Sequence, residues 1–263
     1  MSVAVLDYSL SGKTAIITGS TRGIGRAVAE AFAAGGAAVV VTGRKQEVCD
    51  KVAGELAAAG YQALGVACEV TRSGDRENLI QKTVERFGRL DILVNNAGVG
   101  GAPRKMIDMD EAYFDTYLDA DVKALYFLSK LAALQMKSQG CEAGTHPYRI
   151  INMASVAGMK SPIGDTVYGS CKAAVIHLTR IMANELARFG ITCNSVAPGY
   201  VLTDMTKDVI ADEKNAAAVN RMITLRRYAQ PEEIASVVRF VASPAAGYLT
   251  GVNIAADGGM VLN

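Results

Sequence analysis

Tyr168 and Lys172 stand four residues apart in Tyr168-Gly169-Ser170-Cys171-Lys172. The stretch that follows carries Ala173, Ala174, Val175, Ile176, Leu178, Ile181, Met182 and Leu186, an apolar pattern that predicts a helix. Residues i and i+4 share one helix face. The Lys172 ammonium is therefore expected beside the Tyr168 phenol. A nearby cation favours the anionic form of an acid. The pair would make Tyr168 a proton donor or acceptor usable near neutral pH. Such a spacing also arises by chance, so its meaning depends on the elements that position it.

Those elements begin with a β-rich run at 13–18, followed by Gly19-Ser20-Thr21-Arg22-Gly23-Ile24-Gly25 and an alanine-rich helix. Strand, glycine loop and helix are the context of a dinucleotide fingerprint. The spacing here is Gly-x-x-x-Gly-x-Gly. Gly19 would permit the tight turn, Gly23 the approach of backbone to a pyrophosphate, and Gly25 the packing of helix on strand. The helix N-terminus would face the phosphates.

A second strand at 38–42 ends in Gly43-Arg44-Lys45. A carboxylate there would bind the ribose 2′-hydroxyl of NAD and repel a 2′-phosphate. It is absent, and Arg44, Lys45 and Arg22 offer cations instead, which favours NADPH over NADH. Further strands are expected at 63–70, 90–94, 149–153, 192–196 and 251–255. Helices are expected at 47–59, 75–87, 111–139, 167–189 and 231–242. Residues 204–222 read as a mobile amphipathic segment, and a mobile substrate segment is expected at about 200–226. The alternation predicts a single α/β domain over 1–263, a doubly wound parallel sheet of Rossmann type with helices on both faces.

Composition narrows the class. The chain has 263 residues, half of them hydrophobic, and a formal charge of +1. Its mean hydropathy is +0.19. That balance gives no electrostatic case for nucleic acid or an anionic membrane. The five cysteines are scattered and odd in number. They predict a reducing, cytoplasmic compartment rather than a disulfide framework. His146 and His177 cluster with no cysteine, so no metal site is expected. No signal peptide or membrane span is read.

Together these residues resemble the short-chain dehydrogenase/reductase family over nearly the whole chain. The resemblance rests on the glycine loop, Asn95-Asn96-Ala97-Gly98, Ser155, Tyr168-x-x-x-Lys172, Pro198-Gly199 and Asp257-Gly258-Gly259. Its nearest flavour is that of 3-oxoacyl-carrier-protein reductases and related carbonyl or sugar-acid reductases. The resemblance implies Tyr168 as general acid in reduction and general base in oxidation. It implies Lys172 as the group that eases Tyr168 ionisation and holds the nicotinamide ribose, and Ser155 as donor to the substrate oxygen. Paired O–H donors suit that oxygen because hydride arriving at carbon builds charge there. Cofactor contacts are implied for Gly19, Ser20, Thr21, Arg22, Gly23, Ile24, Gly25, Arg44, Glu69, Val70, Asn95, Ala97, Gly98, Tyr168, Lys172, Pro198, Gly199, Val201 and Thr203. Asn95 would also support the sheet, and Thr203 would bind the carboxamide. Glu69 replaces a usual aspartate.

The family usually places an asparagine on the long helix, joined through water to the lysine. Here Asp121 occupies that position. Aspartate lacks the amide donor and sets a negative charge near Lys172, so it is expected to keep the water position and shift the pH optimum. The plain alternative is a solvated helix residue. The leading reading is an NADPH-dependent carbonyl reductase. The others are an oxidising dehydrogenase of a sugar acid, polyol or steroid alcohol, and a nucleotide-binding sensor without turnover. His177 reads as a packed or surface histidine and Cys171 as a small apolar filler. Ala120, Leu125, Phe127, Leu128 and Ala132 exceed one buried face and predict oligomerisation in general; the resemblance implies that the two long helices pair with their copies in a homodimer or homotetramer. Substrate identity would be set by 99–106, 158–166 and 200–226.

Overall fold

The computed structural model describes residues 7–100, 104–161 and 164–262, with the side chains of 208 and 209 excepted. Seven strands form one parallel sheet. They are β1 Thr14–Ile17, β2 Ala38–Gly43, β3 Ala63–Ala67, β4 Ile92–Asn95, β5 Tyr148–Met153, β6 Ile191–Pro198 and β7 Asn253–Ala256. Their order is β3-β2-β1-β4-β5-β6-β7. The nine helices of the described residues are α1 Gly23–Ala34, α2 Gln46–Ala58, α3 Ser73–Phe87, α4 Glu111–Tyr117, α5 Ala124–Gln139, α6 Thr166–Leu186, α7 Lys207–Ala211, α8 Glu213–Met222 and α9 Pro231–Ala242. The predicted doubly wound architecture is the one observed.

Alternation within the strands builds the two faces. Ala15, Ile17, Val39, Val41, Ile92 and Val94 join one core with α1, α2 and α9. Ile16, Val40, Leu93 and Ile150 join the other with α3, α5 and α6. A strand covered on both faces must be apolar at every position, which is why these strands read as unbroken apolar runs. The strand order reverses between β1 and β4. Their following loops diverge there and open a crevice at the carboxyl ends of the strands.

Three of the departures from expectation have a local cause or consequence. β3 stops at Ala67 rather than 70, because the Glu69 N–H donates to the Asp75 carboxylate (2.8 Å) instead of to a neighbouring strand. The helix read across 111–139 contains a π-helical turn, Leu118–Lys123, between α4 and α5. Residues 204–222 fold into α7 and α8, broken at Asp212, whose carboxylate caps α8 through the Asn215 N–H (2.8 Å). Among the described residues no helix is long and apolar enough to cross a membrane.

Candidate active site

The glycine loop is shaped as its sequence requires. Gly19 and Gly23 have positive φ, +63° and +56°, where a Cβ is disfavoured. A Cβ on Gly25 would lie 2.4 Å from the Gly19 carbonyl oxygen and 2.4 Å from the Asn96 amide nitrogen. α1 starts at Gly23 with no side-chain cap and no acid in its first turn. Its first N–H groups are thus left to an external anion. The Asn96 amide donates to the carbonyls of Thr18 (2.8 Å) and Gly19 (3.2 Å). The Thr18 hydroxyl accepts the N–H groups of Asn96 and Ala97. These bonds tie the loop after β4 to the loop after β1 and line the crevice. The cradle therefore fits a dinucleotide: close-approach glycines and a free helix N-terminus lie at a switch point.

Individual contacts are distributed less evenly than the motif suggests. Ser20 is spent within the fold. Its hydroxyl donates to the Ile17 carbonyl (2.7 Å) and accepts the Thr42 N–H (2.9 Å), while its N–H donates to the Thr42 carbonyl (2.8 Å). The Asn95 amide donates to Ser129 (2.9 Å) and to Asn152 (2.8 Å), so this side chain faces the interior and supports the sheet. Arg22 pairs with Asp204 (2.8 Å), and Arg44 is exposed. Glu69 accepts from the Thr71 hydroxyl and Val70 accepts from Arg76 through its carbonyl. Ile24 packs on the first core, and Val201 is buried beside its bridge to Ala229. Gly199 needs its missing Cβ, which would meet Asp257 Cα at 2.9 Å. Thr203 brings its methyl within 3.5 Å of the Cβ position of Gly23. The segment after β6 therefore overlies the glycine loop.

Ser155, Tyr168 and Lys172 converge through backbone packing. Ser155 follows β5 and caps the short turn Val156–Gly158, its hydroxyl accepting the Ala157 N–H at 3.2 Å. That turn lies on the start of α6. A Cβ on Gly158 would be 2.6 Å from the Ala173 nitrogen, and one on Gly169 2.8 Å from the Ala157 oxygen. The two bare glycines let Ser155 and the Tyr168 turn approach. The Lys172 ammonium lies 5.5 Å from the Tyr168 ring centroid and donates to the Met153 carbonyl at 3.2 Å.

Asp121 completes this cluster and is not a solvated residue, being only 1% exposed. One carboxylate oxygen accepts the Val99 N–H at 2.9 Å, and the other lies 3.7 Å from the Lys172 ammonium with no hydrogen bond. Gly98 must lack a side chain here, since its Cβ would sit 2.6 Å from Asp121 Oδ1 and 3.4 Å from Lys172 Nζ. Burial raises the Asp121 pKa above the ordinary carboxylate value, and the attraction of Lys172 only partly offsets it. Burial works to lower the Lys172 pKa, but the negative fields of Asp121, Tyr168 and Cys171 outweigh it and the net shift is upward.

Strand, glycine loop, Ser155 and the Tyr168–Lys172 pair stand in one crevice, and a family model described as enoyl-(acyl carrier protein) reductase matches residues 19–261. The chain belongs to the short-chain dehydrogenase/reductase family. It is 39% identical to a 3-oxoacyl-[acyl-carrier-protein] reductase of Synechocystis, over 97% of this chain and 99% of that one. It is 38% identical to a 7α-hydroxysteroid dehydrogenase of Escherichia coli, over 97% of this chain and 96% of that one. A solved 7α-hydroxysteroid dehydrogenase, complexed with NADH and 7-oxo glycochenodeoxycholic acid, superposes with a TM-score of 0.89 at 36% identity, covering 96% of this chain and 95% of that one.

Three neighbours of Tyr168 carry no motif and were not singled out from the sequence. The Tyr117 ring meets Tyr168 edge-on at 6.3 Å, and its hydroxyl accepts a hydrogen bond from the Tyr113 hydroxyl. Burial and that bond push its phenol pKa up. Tyr200 is also raised, first by burial and then by the fields of Asp165, Tyr228 and Tyr168. Burial raises the Asp165 carboxyl. Only the tyrosine content of the 113–117 and 200–228 stretches could have drawn attention to them. Of the expected specificity stretches, residues 101–103 and 162–163 lie outside the described residues. A groove of about 700 Å³ between α1, α7 and α9 meets the cradle at Arg22 and Gly23, and neither Ser155, Tyr168 nor Lys172 lines it.

Proposed function

We propose that the protein is a reductase of ketones that favours NADPH. The observation that carries this is the convergence of Ser155, the Tyr168–Lys172 pair and the glycine cradle at the carboxyl ends of β1, β4 and β5. The cofactor would be held by residues 19–25 with Arg44, Glu69, Val70, Asn95, Ala97, Gly98, Pro198, Gly199, Val201 and Thr203, Ser20 and Asn95 acting through their structural bonds. When bound, the nicotinamide supplies the hydride. Tyr168 gives its phenolic proton to the carbonyl oxygen, and Ser155 donates a hydrogen bond to the same atom. Lys172 and Asp121 are held on the inner side of Tyr168. The missing acid at position 43 and the exposed Arg44 support NADPH.

Asp121 is expected to set the pH response. Its carboxylate offsets the field that Lys172 exerts on Tyr168. Asp121→Asn removes that charge and should therefore displace the pH–rate profile from that of the wild type. Superimposable pH–rate profiles would reject that role.

The second reading is oxidation of a secondary alcohol, favoured by the likeness to hydroxysteroid dehydrogenase. Cofactor oxidation with a short 3-ketoacyl thioester and a panel of ketones, NADPH against NADH, separates the two. The expected result is turnover with NADPH strongly preferred. A preference for NADH would lift the dehydrogenase, and binding without turnover would lift the sensor.

The residues expected to mediate assembly do not all reach the surface. Ala120, Leu125, Leu128 and Ala132 are buried within the chain, and Phe127 is exposed. Phe114, Leu118, Tyr126 and Leu134 on the α4–α5 helix and Ile181 on α6 are exposed instead. They support a homodimer or homotetramer through those helices. The free thiols support a cytoplasmic setting. We assign one domain and a moving substrate segment at 200–226.

A further inference from the structure

Gly43, where an NAD-type acid would stand, is enclosed. A Cβ on it would lie 2.8 Å from Thr21 Cγ2, 3.3 Å from Thr21 Oγ1 and 3.5 Å from Cys49 Sγ. The first distance is far inside the roughly 3.5–4.0 Å optimum for two carbons.

Both sides of this contact are fastened at the backbone. The glycine loop is fastened to the end of β2 by the reciprocal bonds of Ser20 and Thr42 (2.8 and 2.9 Å), with the Gly19 N–H on the Thr42 hydroxyl at 3.3 Å. Ser20 and Thr42 have no exposed surface. From the other side, the Cys68 N–H holds the Gly43 carbonyl at 2.8 Å. Thr21 is β-branched, so two of its three χ1 rotamers keep a heavy branch turned toward position 43.

From this geometry we infer that Thr21 and Gly43 form one specificity-determining pair for the adenosine ribose of the cofactor. While Thr21 is present, position 43 has no room for a carboxylate that would select an unphosphorylated 2′-hydroxyl. The discrimination then lies in the contact between two loops rather than in the end of β2 alone. It follows that Gly43→Asp by itself does not convert the protein to NADH. The new side chain displaces Thr21 or the loop and disturbs the cradle before its carboxylate can meet a ribose. Removing the Thr21 side chain as well frees the space. The inference rests on the NADPH reading for its biological sense, but the steric coupling can be measured without any cofactor.

Two cycles test it. In cofactor-free protein, Gly43→Ala should lower Tm by several degrees when Thr21 is present and leave it nearly unchanged when Thr21→Gly accompanies it. Equal shifts in both backgrounds overturn the inference, whatever the cofactor. In fluorescence titrations, T21G/G43D should bind NADH at least tenfold more tightly than G43D. It should bind NADPH at least tenfold more weakly than the wild type. NADH binding by G43D alone as tight as by the double variant overturns it. Tighter binding of NADH than NADPH by the wild type defeats the NADPH reading separately, and the Tm cycle still decides the coupling.

Discussion

Tyr168→Phe is expected to lower kcat by about 10²–10⁴-fold, the usual range for losing a positioned acid or base, with dinucleotide affinity nearly unchanged. The substitution removes one oxygen and keeps the ring. The edge-on contact with Tyr117 at 6.3 Å and the position of the ring beneath the Lys172 ammonium both survive it. No hydrogen bond that holds the fold is lost at this half-buried side chain. A fall in rate therefore reports the missing proton rather than a disturbed site. Equal losses in kcat and kcat/KM would show that the interaction acts in the transition state. The measurement is single-turnover reduction with a saturating cofactor, alongside a direct binding titration. Retention of more than about a tenth of the wild-type rate would remove Tyr168 from the proton-donor role and leave Ser155 or water as the donor.

The parts of this site that could be read from the chain are those whose geometry is local. Tyr168 and Lys172 meet because one helix turn brings them together, and the glycine loop bends because Gly19 and Gly23 adopt backbone angles other residues avoid. The sheet was legible because strands covered on both faces read as unbroken apolar runs, and these alternate along the chain with helical stretches. Ser20 shows where local reading ends. Its place in the motif suggests a phosphate contact, yet its donors are taken by Ile17 and Thr42. Thr42 lies on another strand, and its distance in space is not written in the spacing.

The long helix shows the same limit differently. Reading 111–139 at 3.6 residues per turn counts Ala120, Leu125, Leu128 and Ala132 as surplus apolar surface, but all four are buried. The π-helical turn at Leu118–Lys123 inserts an extra residue and rotates everything after it. Asp121 lies within that turn, 3.7 Å from the Lys172 ammonium. No residue type marks such a turn. Its contacts are tertiary: the Asp121 carboxylate holds the Val99 N–H of the loop after β4, and Gly98 leaves the room for it.

The Asp121–Lys172 pair carries the last prediction, which concerns stability and its pH dependence. Lys172→Met keeps an apolar stem and removes the ammonium. It leaves Asp121 a buried carboxylate whose second oxygen has no partner. Breaking a buried pair in this way costs about 3–5 kcal/mol. The sign with pH follows from the direction of the Asp121 shift, which is upward because burial outweighs the attraction of Lys172. Losing Lys172 removes that attraction and moves the folded value further up. Between the unfolded carboxylate value of about 3.9 and the raised folded value, the native state binds the proton and the unfolded chain does not. Stability therefore falls as pH rises through that window and stays low above it. Urea unfolding at acid and at mildly alkaline pH should show Lys172→Met losing most at the alkaline end. In that background Asp121→Asn should restore much of the alkaline loss, since a neutral amide keeps an acceptor for Val99 without a buried charge. If the gap between the single and double variants is the same at both pH values, the cost of Lys172→Met comes from lost packing and the 3.7 Å pair is electrostatically idle.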